Sequence, residues 1–496
     1  MLHKLSQLHS QPLRFWRNGK VVTLSDVTPT QTLLDVLRGS LRACDVKEGC
    51  ASGDCGACTV VVAQTNEKGQ LDYRAVNSCL RPANAIDGLA LWTASDLVDA
   101  KGQLHPVQQS LVDHHATQCG FCTPGFVMSL FALYQQTHAK GQATSASQRH
   151  DAISGNLCRC TGYRAILDAA HALPHYPVPK QTDVEIALAL HSLPARDNAQ
   201  ANYALPTSLQ ALLELRSDRP QAQLIAGATD VGVLITQGLR EMPSIIDLTR
   251  VSELRRIETY PQHIAIGAAV PLQEAFDAMA RERRAIAPFA LQFAGWPIRA
   301  TGTLGGNVAN GSPIGDSMPL LIALGANVVL MAWRKGRFHS RELPLESLYT
   351  GYRQNVMQPD EVLAWIKIPR PTAQEWLGVY KVSKRFEDDI SAVCLALRID
   401  LNHADMPSVR LGVGGVAAVP VRAVLTERVL QANINDDAAW QTARHTLMHE
   451  FSPMTDLRAS DHYRRDLLSN LLLRAHLERQ GKSMVSLANF SLEEGA

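Results

Sequence analysis

Eight of the ten cysteines in this 496-residue chain lie before position 161, and they fall into two sets of four. The first set is Cys50-x4-Cys55-x2-Cys58 with Cys79 downstream, the spacing by which four thiolates hold a [2Fe–2S] cluster. The second is Cys119-x2-Cys122 followed by Cys158-x-Cys160. Such clusters accept and release electrons singly, so two of them on one chain imply an electron relay.

A loop that turns three sulfurs toward one point needs residues without a bulky Cβ, and Gly49, Gly53 and Gly56 supply that freedom. Backbone amides exposed by the loop can donate to the sulfurs and tune the potential. A structural zinc site also uses four cysteines, but usually as two Cys-x2-Cys knuckles, so the first set favours iron–sulfur. In the second set Cys122 precedes Thr123-Pro124-Gly125 and Cys160 precedes Thr161-Gly162-Tyr163, and threonine with an early proline signals a helix start. Two helix N-termini facing an anionic cluster would stabilise it, although the spacing of this set alone also admits zinc. Cys44 and Cys394 have no cysteine partners and read as small buried apolar residues.

The elements that must position these thiols change character along the chain. Residues 12–92 alternate β-rich runs such as Val60-Val61-Val62 with Gly-rich loops, and Leu33-Leu34-Asp35-Val36-Leu37 reads as one short helix, which together predict a small α+β sheet domain. Residues 93–175 have helical spacing, with Val107 and Leu111, then Phe126, Leu130, Leu133 and Tyr134, on single faces. Pro174, Pro177, Pro179, Pro194 and Pro206 punctuate a stretch with little periodicity, and residues 176–200 are read as a linker. From 201 to 375, strands such as Leu224-Ile225-Ala226 and His263-Ile264-Ala265-Ile266 alternate with helices such as 271–283, an α/β pattern. Residues 376–496 repeat that mixed character as a C-terminal α+β domain.

A net charge of +1 gives no bulk electrostatic reason to expect nucleic acid or an anionic membrane surface as partner. The first ten residues lack the apolar core of a secretion signal, which predicts reduced thiols and a cytoplasmic location. The longest uncharged stretch, 317–333, is broken by Pro319, Gly325 and Asn327 and is too short to span a bilayer, so no membrane association is expected.

Two loops have the composition of a dinucleotide site. Leu224-Ile-Ala-Gly-Ala-Thr-Asp-Val231 runs from an apolar strand into a Gly/Thr turn, where backbone amides can cradle a pyrophosphate. Gly302-Thr-Leu-Gly-Gly-Asn-Val-Ala-Asn-Gly-Ser-Pro313 is a second such loop, and ordinary tight turns are the alternative for both. Gly412-Val-Gly-Gly-Val-Ala417 fits Gly-x-Gly-x-x-Ala, but Pro420 interrupts the helix a Rossmann site requires, so it reads as strand and turn. Lys384-Arg-Phe-Glu-Asp-Asp-Ile390 would by itself be a solvated surface.

The runs Gly49-Cys-Ala-Ser-Gly-Asp-Cys-Gly-Ala-Cys-Thr59, Gln118-Cys-Gly-Phe-Cys-Thr-Pro-Gly125 and Asn156-Leu-Cys-Arg-Cys-Thr-Gly-Tyr163 closely resemble the iron–sulfur portion of the xanthine dehydrogenase and molybdenum hydroxylase family. The chain beyond residue 200 resembles that family's FAD domain, and fusion of both parts resembles its bacterial small subunits. The resemblance implies a multidomain α+β fold: a β-grasp ferredoxin-like domain, a helical-bundle [2Fe–2S] domain, a two-part α/β FAD-binding domain and a C-terminal α+β domain. It implies two [2Fe–2S] clusters, held by Cys50, Cys55, Cys58 and Cys79 and by Cys119, Cys122, Cys158 and Cys160. FAD contacts carried over are Leu224, Ile225, Ala226, Gly227, Ala228, Thr229, Asp230 and Val231, then Gly305, Gly306 and Asn307. Phe293 matches an aromatic beside the flavin ring, and Thr303, Asp316, Leu363 and Lys381 match further contacts. Thr303 stands where serine is frequent and keeps the hydroxyl, whereas Ala228 stands where asparagine is common and supplies no side-chain bond. Asp388 and Asp389 match a segment where the nicotinamide nucleotide docks.

The implied role is an electron-transfer subunit. A molybdenum cofactor on a partner large subunit would oxidise hypoxanthine or xanthine to urate. Electrons would pass to the helical-domain cluster, the ferredoxin-like cluster, FAD and finally NAD, with oxygen the alternative acceptor. The expected assembly is a dimer of heterodimers. No residue of this chain would touch the purine, and an aldehyde or N-heteroaromatic substrate on a different large subunit is the alternative.

Overall fold

The computed structural model describes residues 8–66, 68–179, 182–194, 196, 198–402 and 407–482. Residues 1–7, parts of the 176–200 stretch and the end of the C-terminal domain lie outside the described residues. The chain divides into two compact units.

The first unit comprises Met1–Thr207, Gln221–Arg250 and Gly295–Gly302. Strands β1 (Leu13–Arg17), β2 (Lys20–Leu24), β3 (Thr59–Thr65), β4 (Leu71–Asn77) and β5 (Ala90–Trp92) form a mixed sheet in the order β2-β1-β5-β3-β4. Only the β1–β5 pair is parallel. Val60 and Val62 face one core with Leu33, Leu37 and Ile86, while Val61 and Ala63 face another with Phe126, Phe131 and Trp92. A strand buried on both faces reads as a continuous apolar run rather than an alternating one, which accounts for Val60-Val61-Val62. The short helix over 33–37 is a single α turn, Leu33–Asp35, passing into a π turn, Val36–Ser40. Thr32 caps it reciprocally: its hydroxyl accepts the Asp35 amide and the Asp35 carboxylate accepts the Thr32 amide, each at 3.1 Å.

The other face of the sheet is covered by helix Thr123–Gln136, together with helices Pro106–Asp113 and Arg164–Ala172. Residues 125–134 are buried without interruption, so this helix is enclosed all round where one buried face is expected from its spacing. The 176–200 stretch contains helix Asp183–His191, whose Ile186 and Leu190 join the same core. Tyr73 on β4 donates to Asp183 at 2.7 Å. Two apolar anchors in nine residues give too weak a period to stand out beside the prolines. A parallel sheet β6-β8-β7, of Tyr203–Ala204, Ile245–Asp247 and Gln223–Ile225 respectively, completes the unit.

The second unit comprises Ser208–Pro220, Val251–Ala294 and Thr303–Ala496. One antiparallel sheet has the order β12-β11-β15-β10-β9, built from β9 (Ile257–Thr259), β10 (His263–Gly267), β11 (Asn327–Arg334), β12 (Arg337–Pro344) and β15 (Val362–Pro369). A short hairpin, β13 (Tyr349–Gly351) and β14 (Gln354–Asn355), precedes β15. A second antiparallel sheet runs β16 (Glu375–Val382), β17 (Val393–Asp400), β18 (Ser408–Gly414), β19 (Val421–Arg422), with Trp440, Leu447 and Leu472 of the C-terminal helices in its core. Helix Ser317–Leu324 is buried along its whole length. A Cβ at Gly412 would stand 2.0 Å from the Pro319 carbonyl oxygen, so the Gly412–Ala417 run is strand packed tightly on this helix. Among the described residues no helix is long and apolar enough to cross a membrane.

Candidate functional site

Antiparallel pairing of Thr59 with Asn77 places Cys58, just before β3, beside Cys79, just after β4. Both are 2% exposed, while Cys50 and Cys55 are half-buried on the preceding loop. The Cys55 thiol donates to Cys50 and draws its pKa down, and the Cys79 thiol does the same for Cys58. The donors Cys55 and Cys79 are pushed up in turn. The amides of Ser52 and Cys55 each reach Cys50 Sγ at 3.4 Å. Ala51 holds a left-handed φ of +52° to aim the first of these. A Cβ on Gly49 would lie 2.8 Å from Cys55 Sγ, so the ligand loop leaves no room there for a side chain.

In the second set, Cys122 is the N-cap residue of helix Thr123–Gln136, and Tyr163, three residues beyond Cys160, is that of helix Arg164–Ala172. The helix start expected at Thr123 is present, whereas the one expected after Cys160 comes only at Arg164, because left-handed Tyr163 turns the chain first. Cys119 and Cys160 are exposed. Burial, then the neighbouring Cys158, pushes Cys122 up to about 12. Burial also resists ionisation of Cys158, but the Thr161 hydroxyl at 3.2 Å and amide at 3.5 Å donate to its sulfur and hold its pKa below the usual value. The hydrogen bond between Cys160 and Cys119 holds the Cys160 pKa above its usual value. Tyr163, at φ +68°, accepts the Cys158 amide on its hydroxyl at 2.9 Å.

Among the described residues no three His, Cys, Asp or Glu side chains converge on a single metal-ion position. In both sets the sulfurs stand as two neighbouring pairs: Cys50 with Cys55, Cys58 with Cys79, Cys122 with Cys158 and Cys119 with Cys160. Pairs suit two irons that each take two thiolates better than one tetrahedral zinc.

The two ligand loops are bonded directly to each other. Leu157, next to Cys158, donates its amide to the Cys55 carbonyl at 3.0 Å. Buried Asn156 donates to the Gly56 carbonyl at 3.0 Å and accepts from Ser129 at 2.6 Å. A Cβ at Gly56 would meet the Gly155 oxygen at 2.1 Å. Cys394 is buried as expected, but Cys44 is exposed, because it follows left-handed Arg42 (φ +51°) in a surface turn.

Among the carried-over flavin residues, Leu224 and Ile225 end β7, Ala226 leads into Gly227 (φ +84°) and Ala228 (φ +62°), and Thr229 and Asp230 precede helix Val231–Thr236. A Cβ at Gly227 would lie 1.9 Å from the Thr301 oxygen. In the second unit Thr303 caps helix Leu304–Asn310, its hydroxyl accepting the Gly306 amide at 3.0 Å, while the Gly305 amide donates to the Ala268 carbonyl at 3.2 Å. These two glycine amides are therefore engaged within the protein. Asn307 accepts from Ser317 at 2.5 Å. Lys381 forms a buried ion pair with Asp316 at 3.0 Å and also donates to the Gln292 carbonyl at 2.8 Å, which fixes the residue before Phe293. Phe293 packs on Phe276 with ring centroids 4.9 Å apart, and Leu363 is buried in the same core.

Asp389 is held by its own loop, accepting the Arg385 amide at 2.8 Å and the Ile390 amide at 2.9 Å; although burial opposes ionisation, these bonds keep its pKa low. With Lys384, Ile390, Ala392, Leu457 and Arg458 it lines a pocket of about 140 Å³. Its neighbour Asp388 has φ +48°.

Asn156, Leu157, Thr161 and Tyr163 as sulfur-loop partners were not evident from the cysteine spacing. Threonine directly after Cys58, Cys122 and Cys160 is the one sequence signal that points to such donors.

Four family models match the chain in succession. They are described as a 2Fe-2S iron-sulfur cluster binding domain (17–84), a [2Fe-2S] binding domain (93–171), an FAD binding domain in molybdopterin dehydrogenase (198–371) and a CO dehydrogenase flavoprotein C-terminal domain (378–479). Xanthine dehydrogenase of Drosophila pseudoobscura pseudoobscura is 32% identical over 95% of this chain and 39% of its own length. That of Emericella nidulans is 33% identical over 91% of this chain and 37% of its own. Thus the chain spans about two fifths of the curated relatives it matches. A crystal structure of the Cu,Mo-CO dehydrogenase, 25% identical, superposes with a TM-score of 0.51 over 56% of this chain and 96% of that one.

Proposed function

Because its four domains match those of the iron–sulfur and FAD subunit of molybdenum hydroxylases, we propose that this chain carries electrons from a molybdenum cofactor on a partner large subunit through two [2Fe–2S] clusters to FAD and then NAD, during oxidation of hypoxanthine or xanthine to urate. The observation that carries the reading is the direct bond between the two thiol-bearing loops, Leu157 amide to Cys55 carbonyl at 3.0 Å. A relay needs its centres close and rigidly spaced, and this contact supplies both.

Bound FAD supplies the exchange between one-electron and two-electron chemistry. The chain's own residues hold and orient the centres. Cys50, Cys55, Cys58 and Cys79 would take one cluster and Cys119, Cys122, Cys158 and Cys160 the other. Exposed Cys119 and Cys160 make the second set the one open to a partner subunit. In the flavin region, Gly227 and Ala228 turn the backbone so that the amides from Ala226 to Val231 are candidates for the phosphates. Since the Gly305 and Gly306 amides are engaged internally, Thr303 and Asn307 side chains are the better candidates from the second loop. Lys381, Asp316, Phe293 and Leu363 would shape the flavin side, and Asp388 and Asp389 the nucleotide side. A dimer of heterodimers in the cytoplasm, with NAD rather than oxygen as acceptor, completes the proposal. The solved CO dehydrogenase neighbour favours the alternative that the same relay serves a different substrate on another large subunit.

The test is anaerobic addition of xanthine to the chain purified with its large subunit. Bleaching of flavin and cluster absorbance, reversed by NAD with NADH formed, is expected. If only NADH bleaches the colour, the relay stands and the purine assignment falls; purine turnover by this chain alone would overturn the division of labour.

A further inference from the structure

Helix Val231–Thr236 begins directly after the turn assigned to the phosphate side of FAD, and its far end lies on the first cysteine loop. Thr236 donates its hydroxyl to the Ala51 carbonyl at 2.7 Å. Gln237 donates its side-chain amide to the Cys50 carbonyl at 3.1 Å and more weakly to Ala51 at 3.4 Å. The body of the helix is pressed just as closely on the other end of the ligand set, since a Cβ at Gly232 would stand 2.4 Å from the oxygen of Leu80, the residue after Cys79.

These contacts fall where the loop is under strain. Ala51 sits at φ +52°, a left-handed conformation that is strained for a non-glycine residue. That conformation aims the Ser52 amide at Cys50 Sγ, 3.4 Å away. Amide donation to a ligating sulfur stabilises the more negative, reduced state and raises the potential. Without the two donors on its carbonyls, the turn would relax and the amide would swing off the sulfur.

We propose that Thr236 and Gln237 are positioning residues for the ferredoxin-like cluster: by clamping the Cys50–Ala51 turn they set its reduction potential. The proposal rests on the reading of Cys50, Cys55, Cys58 and Cys79 as a [2Fe–2S] site. It assigns a role to two residues at the far end of a helix whose near end alone is expected to meet a cofactor.

The test is a redox titration of the full chain followed by electron paramagnetic resonance, which separates the two clusters. Gln237→Ala, at an exposed position, and Thr236→Val should each lower the potential of one cluster, with a tenfold weaker reduction equilibrium, 59 mV for one electron, for the pair combined. The other cluster should stay within error, and Thr236→Ser should restore the wild-type value. Unchanged potentials in Gln237→Ala and Thr236→Val, or equal shifts of both clusters, would overturn the clamp. A wild-type chain with no [2Fe–2S] signal would instead overturn the functional reading on which it rests.

Discussion

The two cysteine sets belong to one unit but pack against different cores, and they are held by different means. The first rests mainly on backbone: buried Cys58 and Cys79 are fixed by strand register, and the Cys50 sulfur takes two main-chain amides beside the Ser52 and Cys55 side chains. The second is built from side chains at helix starts, with the Thr161 hydroxyl on Cys158 Sγ, the Tyr163 hydroxyl on the Cys158 amide, and two of four thiols exposed. Backbone donors cannot be mutated away one at a time, whereas side-chain donors can. The first site is therefore defined by the space around it, and the second by its chemistry.

Glycines make the sharpest break in that comparison. Gly56 and Gly120 have similar left-handed φ values of +66° and +80°, but a Cβ on Gly56 meets the Gly155 oxygen at 2.1 Å and one on Gly120 meets nothing within 4 Å. Gly56→Ala should cost about 3 kcal/mol or more through backbone displacement, against about 1 kcal/mol of conformational strain for Gly120→Ala; urea unfolding of the two variants measures the gap, and equal costs would remove the contrast. Next in size is Asn156→Ala, which strips the Gly56 carbonyl and the Ser129 hydroxyl of a buried partner. It should cost about 2 kcal/mol and broaden the resonance signals of both clusters, since one side chain braces both loops. Smallest is Thr161→Val: the second cluster's potential should fall while the first is unmoved and the melting temperature changes little, with Thr161→Ser restoring the wild-type potential. A stability loss without a potential shift would make Thr161 a packing residue.

Legibility followed sequence range. Cysteine spacing, the helix start at Thr123 and the Gly227 turn are local patterns, and each was readable within about ten residues. The Val60-Val61-Val62 run was readable as strand, but its two buried faces depend on helix Thr123–Gln136, which lies far along the chain. The Thr236 to Ala51 bond joins residues 185 apart, and no spacing rule reaches that far. Composition misjudged Cys44, because a lone cysteine is buried by frequency while this one sits in a surface turn. The second glycine loop was read for its amides, but at Gly305 the missing side chain serves close approach instead: a Cβ there would lie 2.4 Å from that of Ala268.

Segment Gly295–Gly302 belongs to the first unit although the 44 residues before it, Val251–Ala294, belong to the second. Its Arg299 is paired with Asp151, buried at 1% side-chain exposure, and its Trp296 amide donates to Ser154 at 3.0 Å. During synthesis, the part of the chain that carries both cysteine sets thus emerges roughly 140 residues before the segment that closes it, at a translation rate of about 5–20 residues per second. For that interval of many seconds Asp151 and Ser154 have no Arg299 or Trp296 to meet, and the thiols wait on an unfinished surface. Timing of cluster insertion relative to the arrival of residue 302 is therefore a property written into the order of this chain.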